Sequence, residues 1–79
     1  MKSFSYNLGK NTKLKLERGI GFEDVLISIT RGLYRVARIT SQDHDGQYCY
    51  IIRHNGKNWI VPFTEYKNKI HLHTIFRKD

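Results

Sequence analysis

QYCYIIRHNGKNWIVPFTEYKNKIHLHTIFR, residues 47–77, decides the fold. It reads as three consecutive strands, QYCYIIRH, KNWIVPFTEY and KIHLHTIFR, joined at Asn55-Gly56 and Lys67-Asn68. Asn-Gly between two apolar runs is a strong hairpin signal, because a type I′ turn needs two residues that tolerate positive φ. A two-residue loop fixes the register, so Ile52 faces Trp59, Tyr50 faces Val61 and Tyr48 faces Phe63. A second loop of even length sets Phe63 opposite Leu72, Val61 opposite Thr74 and Trp59 opposite Phe76. Since side chains alternate along a strand, one face then carries Tyr48, Tyr50, Ile52, Trp59, Val61, Phe63, Leu72, Thr74 and Phe76, and is the expected core. The other carries Cys49, Ile51, Arg53, Asn58, Ile60, Pro62, Thr64, His71, His73, Ile75 and Arg77, and is the expected functional face. Pro62 conflicts with a central strand, where it removes a ladder hydrogen bond, so a bulge or an edge is expected there.

Upstream of this stretch, residues 1–6 alternate as a short edge strand would, with Phe4 and Tyr6 on one face. Asn7 can cap a helix over Leu8–Arg18 that stops at Gly19. Phe22, Val25, Leu26 and Ile29 fall on one stripe of a second helix, with Gly21 at its N-cap, Glu23 and Asp24 in its first turn and Gly32 at its end. Leu33–Ile39 reads as a strand and Ser41–Gly46 as a polar loop. Neither layer can bury itself unaided. The expected fold class is therefore α+β: two short helices packed on one face of a mainly antiparallel sheet of four to five strands.

The 79 residues make one domain, 1–79, with one core. A formal charge of +7, from 14 Lys and Arg against 7 Asp and Glu, makes a polyanion such as RNA, or an acidic protein, the natural partner. One cysteine, Cys49, excludes an internal disulfide and a thiolate-rich zinc site, which suits a reducing cytoplasm. No apolar run is long enough for a signal peptide or a membrane span, so no membrane partner is expected.

The run Asn7, Lys10, Asn11, Leu14, Lys15, Glu17, Arg18, Gly19, Ile20, Phe22, Glu23, Val25 resembles the N-terminal helical half of the BrnT-like toxins. WIVPFTE and KIHLHTIFRK are similar to that family's paired strands, so the resemblance spans nearly the whole chain. Leu8 stands where the family often has Pro, and Gly21 where it has Ser or Thr. The resemblance implies a RelE-like fold and a small endoribonuclease, a hydrolase of RNA, that is the toxin of a type II toxin-antitoxin system. It also implies a cognate protein antitoxin, in many members one with a ribbon-helix-helix part, through which the complex oligomerises.

Metal-independent RNA cleavage needs a base for the 2′-hydroxyl, an acid for the leaving oxygen and positive charge at the phosphorane-like transition state. His73 and Arg77 on the last strand are the catalytic candidates, with Glu65 at the second hairpin as a possible base against a plain turn carboxylate. Lys10, Lys13, Lys15 and Arg18 on the first helix, with Arg53 and His71 on the sheet, are the RNA-binding candidates. The blander reading makes these a solvated face. His71 and His73 could pair on a metal, yet a third ligand is wanting: Cys49 in this register is two strands from His73, roughly 9 to 10 Å. No metal or cofactor is expected. Tyr48, Tyr50, Trp59 and Phe63 could form a base-stacking platform, but they share the face the helices need and are read as core. The alternative function is a non-catalytic RNA- or protein-binding module on the same fold.

Overall fold

Asn55 and Gly56 both adopt positive φ, 53° and 75°, and close the hairpin at the expected register, Ile52 against Trp59 and Tyr50 against Val61. The computed structural model describes residues 2–39 and 46–78. Its elements are β1 (Ser3–Ser5), α1 (Leu8–Arg18), α2 (Phe22–Thr30), β2 (Arg35–Arg38), β3 (Tyr48–His54), β4 (Lys57–Tyr66), β5 (Lys69–Leu72) and β6 (Phe76–Lys78). The fold is α+β, with two helices and one mainly antiparallel sheet in the order β1-β5-β4-β3-β2, to which β6 is added beside β4. Among the described residues only the β1–β5 pairing is parallel. Of the polar loop read over Ser41–Gly46, all but Gly46 lies outside the described residues.

Six strands replace the four to five expected because the last one divides. Phe63 pairs with Leu72 as read, but Ile60 pairs with Phe76 and Trp59 with Arg77, one residue out of step. Pro62 is the cause. His73 N–H donates to the Pro62 carbonyl at 2.9 Å, and the return bond cannot form because proline has no N–H. The chain bulges at the point where the ladder is weakest, and the slip drives Ile75 inward, where it is fully buried. Burying that side chain contributes about 1.5–3 kcal/mol, against about 1 kcal/mol for one ladder hydrogen bond. The unbulged register would have put Thr74 there instead. Arg18, at the end of α1, donates from Nη1 to the Ile75 carbonyl and so satisfies a group the bulge releases.

The inner face of the sheet meets both helices in one core: Leu14, Ile20, Phe22 and Val25 pack with Tyr50, Ile52, Trp59, Val61, Phe63, Ile70, Leu72 and Ile75. The slip moves residues of the last strand between faces, Arg77 among them, and one residue of β3 differs in burial. Ile75 moves from the outer face to the core, Phe76 moves from the core to a half-buried outer position opposite Ile60, and Tyr48 stays on the inner face but lies exposed.

The two helices are locked by polar groups rather than by a loop. Asn7 caps α1 as expected, its Oδ1 accepting from Lys10 N–H at 2.8 Å, and Gly19 ends it at φ 72°. Gly21 has no side chain with which to cap α2; Asn11 supplies the acceptor from α1, its Oδ1 taking the Phe22 N–H at 2.6 Å. Asn11 Nδ2 donates to Glu23 Oε1 at 2.9 Å, and Lys15 Nζ reaches the same oxygen at 2.5 Å. A Cβ at Gly21 would stand 2.6 Å from Glu23 Oε2, 2.6 Å from the Lys15 Cε and 2.9 Å from Asn11 Oδ1. A side chain at this position would therefore have to displace the ends of Glu23, Lys15 and Asn11 and loosen the clamp.

The clamp makes stability depend on pH. Hydrogen bonding from Lys15 holds the Glu23 carboxyl below its ordinary value, and the same bond raises the Lys15 ammonium. A depressed carboxyl contributes stability that is present above its unfolded pKa and lost as pH falls through the folded one. The raised lysine contributes below its unfolded value and loses it only at strongly alkaline pH. Thermal unfolding followed across the acid range is expected to show Tm falling below about pH 4.5, with a shallower fall in Glu23→Gln.

Candidate nucleic-acid interface

Because β6 is one residue out of step, Arg77 lies opposite Trp59 and projects to the helix side of the sheet. There Glu17 and Arg18 from the end of α1, Lys57 and Trp59 from β4, and Phe76 and Arg77 from β6 line one shallow cleft of about 430 Å³. A second cleft of about 260 Å³ adjoins it along α1, lined by Lys10, Lys13, Leu14, Thr74 and the shared Glu17 and Arg18. Cations from three elements thus form one track: Lys10, Lys13, Arg18, Lys57 and Arg77. Glu17 is the carboxylate within it, 3.8 Å from Lys13 Nζ one helical turn earlier. An ion pair this exposed contributes little to stability, which leaves both groups available to a ligand.

The other predicted residues do not join this cleft. His73 projects from the opposite face, its Nε2 2.6 Å from Thr64 Oγ1, while His71 Nδ1 lies 2.9 Å from Ser5 Oγ on β1. The two imidazoles meet edge to face at 5.1 Å. Among the described residues no group of three or more His, Cys, Asp or Glu is placed to hold a metal ion. Glu65 lies on the inner face at the far end of β4 and pairs with Lys2. Lys15 turns away into the Glu23 clamp. Arg53 lines a separate cleft with Arg31 and His54 at the end of α2. The expected placement of His73 and Arg77 together on the outer face is therefore corrected: the bulge places them on opposite faces of the sheet.

Sequence reading missed Lys57 and Glu17 as members of the site. The signal was present in Pro62, since a one-residue slip after it brings Arg77, Trp59 and Lys57 to the same face.

The outer face keeps its expected character with a changed membership. Ile51, Ile60 and Phe76 form a row across β3, β4 and β6, beside Cys49 and Ala37, and line a cleft of about 410 Å³. Arg35, Arg53 and Lys78 edge that row, and the strand residues projecting to this face include no carboxylate. Burial raises the Cys49 thiol above its ordinary value, which makes it inert packing. No helix among the described residues is long and apolar enough to cross a membrane. Comparisons with protein-family models, with curated proteins and with solved structures give no match.

Proposed function

We propose that the protein is a metal-independent endoribonuclease of the toxin-antitoxin kind on a RelE-like arrangement, acting on RNA in the cytoplasm, with its site in the cleft between the end of α1 and β6. The observation that carries this reading is the convergence of Arg18, Lys57 and Arg77 with Glu17 around Trp59 and Phe76. The resemblance of Asn7–Val25 to the BrnT-like helical half adds support. In this reading Glu17 takes the proton from the 2′-hydroxyl as that oxygen attacks phosphorus. The bond to the 5′-oxygen breaks, and Lys57 supplies that oxygen with a proton. Arg18 and Arg77 carry the extra charge on the phosphorane-like species, which a guanidinium can grip through two oxygens. The products are a 2′,3′-cyclic phosphate and a free 5′-hydroxyl. The antitoxin covers the outer face with an acidic, amphipathic segment, because that face offers an apolar row edged by cations and no carboxylate among its strand residues.

Incubation of purified protein with total RNA in EDTA tests this. Cleavage that persists in EDTA and leaves cyclic phosphate ends is the expected result. Binding without cleavage would instead establish the non-catalytic module, the reading favoured by the separation of His73, Glu65 and Arg77. In either case affinity is expected to fall steeply with salt, since phosphate contacts release counterions.

A further inference from the structure

We propose that the aromatic cleft at the far end of the sheet's inner face, beyond the cover of the helices, stacks one unpaired base of the bound RNA strand. This rests on the RNA reading above and adds to it a requirement for single-stranded substrate. The inner face does not end where the helices do: Tyr34, Val36 and Tyr48 remain 41%, 53% and 51% exposed. With Tyr50 and Phe63 they line a cleft of about 720 Å³, with Lys2, Thr64 and Glu65 at its margin.

The rings are organised as a floor and walls. Tyr50 stacks on Phe63 at 4.2 Å and 20°, which fixes the floor. Tyr34 stands edge-on to Tyr50 at 5.5 Å and 83°, forming one wall. Tyr48 lies on the other side, with the Arg38 guanidinium 5.4 Å from its ring centre. The register sets Val36 opposite Tyr50 and Arg38 opposite Tyr48, so the walls rise on either side of the Val36–Tyr50 row.

This chemistry favours a base over an apolar side chain. Among the described residues that line the cleft and are exposed, Val36 is aliphatic whereas Tyr34 and Tyr48 are aromatic, and a cation stands over the Tyr48 ring. Aromatic platforms joined to positive charge hold single strands without regard to sequence. Arg38 does not line the cleft itself, but its guanidinium lies over the ring of Tyr48, which does. The cleft opens at the Phe63–Glu65 end of β4 and the cationic cleft at its Lys57–Trp59 end, about 20 Å away along the strand. A strand reaching both spans several nucleotides, a length at which duplex structure would bury the base edges and faces.

The test uses the double variant Tyr34→Leu/Tyr48→Leu, which keeps apolar bulk but removes the π-faces, and Tyr34→Phe/Tyr48→Phe, which keeps them. Both positions are exposed, so the fold is preserved, as Trp59 fluorescence would report. Binding of a single-stranded oligoribonucleotide carrying 2-aminopurine is measured by anisotropy and by quenching of the fluorescent base. The leucine variant is expected to bind about 10- to 100-fold more weakly, with an unchanged salt slope and without quenching, and the phenylalanine variant to behave as wild type. Wild-type affinity and quenching in the leucine variant would overturn this inference while leaving the nuclease reading intact. A wild-type dimer that the leucine variant breaks would also overturn it, because the rings would then serve a second copy. Quenched binding with no cleavage would uphold the stacking site and remove the nuclease, and failure of wild type to bind RNA would remove both.

Discussion

Arg77→Ala is expected to lower single-turnover RNA cleavage by about 10²-fold or more, with His73→Ala cleaving at the parental rate. Arg77 stands in the cleft with Arg18, Lys57 and Glu17, while His73 projects from the other side of the sheet beside Thr64. Removing a preorganised cation from a developing phosphorane costs about 3 kcal/mol in transition-state stabilisation, which sets the magnitude. Lysine restores charge but not the two-pronged grip, so Arg77→Lys is expected to recover only part of the loss. Arg18 is a poorer probe, since its guanidinium also holds the Ile75 carbonyl and its removal would disturb the bulge. Equal losses in Arg77→Ala and His73→Ala would show that the outer face takes part and that the α1–β6 cleft is not the site. Full activity in both would move the chemistry away from β6 altogether.

The second large effect concerns the fold. Asn11→Ala is expected to destabilise the protein by about 2–4 kcal/mol, read as a drop of about 10–20 °C in Tm. The side chain is buried and makes two bonds, one capping α2 through the Phe22 N–H and one to Glu23. Loss of a cap costs about 1 kcal/mol, and a buried N–H left without an acceptor adds about 1–3 kcal/mol. Gly21→Ala tests the same clamp from the other side, since its methyl group would enter the space held by Glu23, Lys15 and Asn11. If Asn11→Ala melts with the parent, α1 and α2 are held by apolar packing and the clamp contributes nothing.

These two predictions divide the Asn7–Val25 motif by role. Asn11, Lys15, Gly21 and Glu23 fasten one helix to the other, whereas Glu17 and Arg18 face the cleft. Lys15 shows why a basic helix cannot be read as one binding surface. The lysines at 10 and 13 line the cleft along α1, but at 15 the side chain meets Glu23, twelve residues from Asn11 and brought there only by the turn between the helices.

Local chemistry in the sequence determined the elements. Asn7 and Gly19 set the limits of α1, the Phe22 stripe marked α2, and Asn55-Gly56 set the β3–β4 register, because caps, helical periodicity and two-residue turns act over a few neighbouring residues. The aromatic core followed from alternation along β3 and β4, where Tyr50, Trp59 and Phe63 are buried and Tyr48 is exposed. What the sequence could not determine was the fate of the last strand. Pro62 announced a defect, but whether it ended the strand or shifted it depended on how much Ile75 gains by burial in the core shared with the helices, a quantity set by packing between distant segments. A shift of one residue inverts every side chain after it. That inversion is why Arg77 left His73 and joined Arg18 and Lys57, and why the candidate site exists only in the tertiary structure.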